Sequence, residues 1–128
     1  MIRSLEAVTL STSRDSFKKI VEFYRDTLGL KLDSEAEMGE EDQFAGFKIG
    51  EANLYVMSHA ETHGESHEPQ RFMVNIEVDD IEKEEKRLKD SSVKQIEPVY
   101  HIEGYGHLST FADPDGNYFQ IVQVRAND

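Results

Sequence analysis

Cysteine is missing from all 128 residues, which excludes disulfides, thiolate metal sites and cysteine nucleophiles together. Basic residues are few: 14 Lys and Arg stand against 26 Asp and Glu, a net charge of −12. Nucleic acid and anionic membrane surfaces both require a basic face, so neither is an expected partner. No run of about 18 apolar residues is present to span a bilayer. The opening Met1-Ile2-Arg3-Ser4-Leu5-Glu6 lacks the apolar stretch of a signal peptide. These absences lead to the expectation of a soluble cytoplasmic protein. What is present, 38% apolar and 31% charged residues, is a globular balance rather than a disordered one. The length suits one domain, 1–128, large enough to bury a core.

Along the chain, Leu5 to Ser11 alternates, with Val8 and Leu10 on one face and Ala7, Thr9 and Ser11 on the other. Ser13 or Asp15 offers a helix N-cap, and Phe17, Ile20, Val21, Tyr24 and Leu28 then recur at helical spacing up to Gly29. Three strands are predicted next, over 30–38, 43–49 and 52–57. The polar stretch from Ser58 to Gln70, with Gly64 and Pro69, reads as a linker. The order then begins again. Arg71 to Val78 alternates, Asp79 or Asp80 caps a charged helix to about Lys89, and strands are predicted near 93–99, 107–112 and 118–124. Between the last two, Asp113-Pro114-Asp115-Gly116 suits a type I turn.

Strand, helix and three strands therefore occur twice, as module one over about 1–57 and module two over about 71–125. Val8 and Leu10 match Val74 and Ile76 in position and face, the mark of a duplicated unit. The predicted fold is α+β: two tandem βαβββ modules forming a cupped mixed sheet, with the ligand space in the cup.

Two segments carry a family resemblance: Phe23-Tyr24-Arg25-Asp26-Thr27-Leu28-Gly29-Leu30, and Phe111-Ala112-Asp113-Pro114-Asp115-Gly116-Asn117-Tyr118-Phe119-Gln120-Ile121. With Val74–Asp80 they reach across both halves. The sequence resembles the vicinal oxygen chelate superfamily, which holds glyoxalase I, bleomycin-resistance proteins, fosfomycin-resistance enzymes and extradiol dioxygenases. The resemblance implies the fold strongly and the chemistry weakly, since the family's reactions are diverse. It also implies a homodimer.

Metal-dependent members of that family use four side chains, and the resemblance puts those positions at Ala7, Tyr55, Met73 and Gln120. A divalent ion gives up water only for several imidazoles or carboxylates. An alanine, a phenol, a thioether and a neutral amide do not replace them, so no metal and no other cofactor is expected. A one-residue slip would substitute Glu6, but it would also turn Val8 and Leu10 into the pocket.

Other features have a functional and a plainer reading. His59, His63 and His67 recur every four residues, which on a helix would stack three imidazoles; Gly64 and Pro69 favour a solvated linker. His107 is a candidate catalytic base near the pocket mouth, or simply part of a polar loop. Glu77 is the other catalytic candidate; it shares a strand face with Met73 and Asn75, where burial would raise its pKa, and equally it could be solvent-exposed at the strand's end. Phe23 and Phe119 are expected in the core.

The expected ligand contacts are Thr9, Tyr55 and Met57 from the first module. From the second they are Met73, Asn75, Glu77, His107, Gln120 and Val122. The leading function is metal-independent binding of a small organic molecule, as in the bleomycin-resistance branch. A metal-dependent lyase, isomerase or dioxygenase using other ligands is the alternative, and a non-catalytic interaction module the third.

Overall fold

Alternating apolar positions in the central strands leave each half of the chain with one sheet face to bury, and each half supplies one helix to cover it. A computed structural model describes residues 1–39 and 41–125. They fall into two compact units, Met1–Gly64 and a second from Glu65 onward.

The first unit runs β1 (Val8–Thr12), α1 (Phe17–Glu22), β2 (Lys31–Met38), β3 (Asp42–Ile49) and β4 (Ala52–Ser58). Its sheet order is β1-β4-β3-β2. β1 and β4 are parallel and the other pairs antiparallel. Leu54, Val56, Ala45 and Phe47 are buried beneath Ile20, Val21 and Tyr24 of the helical segment. α1 begins after Ser16, whose own side chain makes no cap bond, and Ser13 Oγ accepts from the Ser16 amide at 3.1 Å. Past Glu22 the helix widens into a π-turn over Phe23–Thr27, closed by Leu28 N–H donating to Phe23 O at 2.8 Å. The extra residue brings two consecutive aromatics, Phe23 and Tyr24, into the core; their rings meet edge to face at 5.1 Å. Gly29, at φ 84°, then takes the left-handed turn that ends the helix.

The second unit repeats the plan: β5 (Val74–Glu77), α2 (Ile81–Asp90), β6 (Lys94–Ile102), β7 (Gly106–Ala112) and β8 (Tyr118–Gln123). The sheet order is β5-β8-β7-β6, again with one parallel pair, β5 with β8. Asp80 caps α2 by accepting from Lys83 N at 3.2 Å. Ile81 and Leu88 pack with Ile76, Phe111, Phe119 and Ile121, all buried. The tandem βαβββ architecture expected from the sequence is thus the one observed.

Several boundaries differ from expectation: β1 starts at Val8 rather than Leu5, and β6 runs on to Ile102 rather than ending near Val99. The fifth strand starts at Val74 rather than Arg71, because its ladder to β8 begins with Val74 beside Phe119. Ser58, placed in the linker, is instead the buried end of β4; its hydroxyl accepts from Gln43 N and donates to Asp42 Oδ1.

Candidate binding site

The site is built by the β7–β8 hairpin, whose register follows from its turn. Asp113 Oδ1 accepts from Asp115 N and Asn117 N, both at 2.9 Å, and Oδ2 accepts from Asn117 Nδ2 at 3.0 Å. Gly116 N–H donates to Asp113 O, completing the turn, with Gly116 at φ 77°. Ala112 is therefore set opposite Tyr118, and Thr110 opposite Gln120.

Phe111, Phe119 and Ile121 point to α2, so Thr110, Tyr118 and Gln120 lie on the other face. There Gln120 Nε2 donates to Thr110 Oγ1 at 2.9 Å, with both residues buried. The Gln120 carbonyl oxygen has no hydrogen bond among the described residues, which leaves an acceptor for a ligand. Met73, Ile96, Tyr100 and Tyr118 supply apolar surface around this polar floor, and Gln70 and Glu97 stand at its edge. The cleft they enclose is about 520 Å³. A smaller cleft of about 330 Å³ shares Ile96 and Tyr118 and continues past Lys94 to Pro69.

Of the residues singled out from the sequence, Met73 and Gln120 line this cleft. Asn75 is exposed beside Gln120 in the parallel register, on the same face. Val122 also shares that face but is buried, next to buried Leu108.

Of its two readings, Glu77 takes the exposed one at the strand's end. It is half-exposed and held bidentately by Arg125, at 2.6 and 2.7 Å. That guanidinium lowers its pKa, where burial had been expected to raise it. His107 departs from expectation: it pairs with Gln123 and alternates with Ser109, which puts it on the α2 side, opposite Gln120. Neither lines the cleft. Thr110, Tyr118, Glu97 and Tyr100 were not foreseen, although Thr110 follows from counting back through the hairpin turn.

In the first unit Thr9 pairs with Tyr55 and Ser11 with Met57, on the face away from α1. The Phe44 ring meets Tyr55 edge to face at 4.9 Å. Tyr55 Oη donates to Glu6 Oε1 at 2.5 Å. This hydrogen bond to a carboxylate is the main reason its pKa is raised, so the phenolate a metal would require is disfavoured. Ala7 has no ligand atom, Met73 offers a thioether and Gln120 only a neutral amide oxygen, so the residues at the family's four metal positions are a poor donor set for a divalent ion. Among the described residues no group of three His, Asp or Glu side chains is arranged to hold a metal elsewhere.

The sequence profile of the Glyoxalase/Bleomycin resistance protein/Dioxygenase superfamily matches residues 9–121, and the chain belongs to that superfamily. The chain is 30% identical to the uncharacterized protein YraH of Bacillus subtilis (strain 168), with 86% of this chain and 91% of that protein covered. A glyoxalase family protein from Enterococcus faecalis superposes with a TM-score of 0.77 at 19% identity, covering 95% of this chain and 98% of the other. TnmS3, an antibiotic binding protein from Streptomyces sp. CB03234, superposes at 0.72 and 19% identity, covering 97% and 98%. At such identities the two structures speak for the fold alone.

Proposed function

We propose that the chain binds a small organic molecule, without a metal ion, in the cleft of its second unit. The observation that carries this reading is the buried Gln120–Thr110 pair beneath an apolar rim of Met73, Ile96, Tyr100 and Tyr118. A few fixed polar groups in a mainly apolar cleft of about 520 Å³ is the usual composition of such a site. The antibiotic-binding description of TnmS3 supports the same direction. Two tyrosines and a thioether favour a flat, polarisable ligand, and the net charge of −12 disfavours an anion.

The test is titration of the EDTA-treated protein with bleomycin and with a neutral flat dye, Nile red, read by calorimetry and fluorescence. At least one probe should bind after chelation and be lost in Met73→Trp, which fills the cleft while leaving the melting temperature near normal. Binding that survives Met73→Trp, or that requires added metal, would overturn the reading. Turnover of methylglyoxal with glutathione should be absent even with added nickel or zinc, because of the four family positions only Gln120 offers a usable ligand atom, a neutral and weak one, to hold an ion against the developing enediolate.

A further inference from the structure

We propose that His101 and His107 form a chelating site for a divalent late transition ion, copper(II) foremost, clipping β6 to β7 near the hairpin tip. The two residues are direct partners in the antiparallel ladder, and their rings lie 4.7 Å apart with a 36° tilt. Both are exposed, so an ion can reach them and keep water in its remaining positions. Neither ring is hydrogen-bonded or ion-paired among the described residues, so no partner has to be displaced. The ladder holds the backbones in place, so small rotations about the side-chain bonds aim one nitrogen of each ring at a shared point.

Imidazole suits copper, nickel and zinc, and copper(II) heads the general affinity order. Bond lengths of about 2.0–2.1 Å, typical of zinc–imidazole bonds, are compatible with rings this close. The site is separate from the cleft. Tyr100 and Leu108, the adjacent ladder pair, belong to the opposite sheet face. It also owes nothing to the four family metal positions.

The experiment is calorimetric titration of the full chain with copper(II) chloride, in a non-chelating buffer, with paramagnetic resonance of the bound ion. The wild type should take up one equivalent with hyperfine coupling from two nitrogens. His101→Asn and His107→Asn should each weaken that equivalent by at least about tenfold, the scale that loss of even an outer-shell partner reaches. The variant with His59, His63 and His67 all changed to Asn should retain it. Because both rings are exposed, the metal-free melting temperatures should not move. A tight equivalent that persists in the His101→Asn/His107→Asn double variant, or disappears in the triple variant, would overturn the proposal. So would a wild-type spectrum with no coupling to two nitrogens.

Discussion

Tyr55 keeps its proton because the group it donates to, Glu6, is a carboxylate that would repel a phenolate. A pKa raised in the folded state stabilises the fold below the unfolded value, about 10 for tyrosine, and that contribution is lost as pH rises through the folded value. Ultraviolet titration should therefore show Tyr55 ionising at higher pH in the wild type than in Glu6→Gln. Superimposable titration curves for the two proteins would refute it. Asp113 illustrates the opposite kind of residue, buried and fully used by its own turn. Asp113→Ala leaves those donors without their acceptor and should cost about 1–3 kcal/mol in urea unfolding. The turn was legible because the donors to the Asp113 carboxylate, Asp115 N and Asn117 N and Nδ2, lie within four residues of it. The Glu77–Arg125 pair was not, since 48 residues separate its members.

Among the elements, strand alternation is the strongest claim, and neighbouring substitutions on β5 test it. Ile76→Ala removes a side chain buried against Phe119 and Ile121 and should cost about 2–5 kcal/mol. Asn75→Ala, one residue away on the exposed face, should stay within about 0.5 kcal/mol. Reversed values in denaturant unfolding would mean the faces are inverted. Gly106 is a second element-level constraint. At φ 146° a Cβ there would stand 2.2 Å from Gln123 O, so Gly106→Ala should loosen the β7–β8 edge and lower the melting temperature. The misplacement of His107 belongs to this scale: its strand was foreseen, but its face depends on the register that the Asp113 turn imposes.

For the whole molecule, the dominant long-range term is a charge of −12 opposing compaction. Raising ionic strength from about 0.01 M, where charges interact over about 30 Å, to about 0.15 M, where they interact over about 8 Å, should raise the melting temperature at neutral pH. A fall would show that local ion pairs outweigh the net repulsion. Acid acts through different groups. Asp26, Asp42 and Glu77 have pKa values lowered chiefly by hydrogen bonds from Arg25, Arg14 and Arg125. Depressed carboxylates stabilise the fold above the ordinary value of about 4, and that contribution disappears as pH falls through the folded values. Asp26 is exposed and Asp42 and Glu77 are partly so, and the loss in thermal scans should be gradual and begin only below about pH 4.

Periodicity, turn chemistry and duplication are local or repeated signals, and from them the sequence alone determined the two βαβββ modules, their helix-facing residues and the Asp113 hairpin. Ligand chemistry read from residue type gave the expectation that Ala7, Tyr55, Met73 and Gln120 hold no metal. Which polar groups meet was decided only in three dimensions. Gln120 finds Thr110 across a hairpin, Tyr55 finds Glu6 across a strand edge, and Glu77 is taken up by Arg125 instead of facing a pocket. Side-chain pairing depends on register and on contacts between residues distant in sequence, and neither leaves a periodic trace in the chain itself.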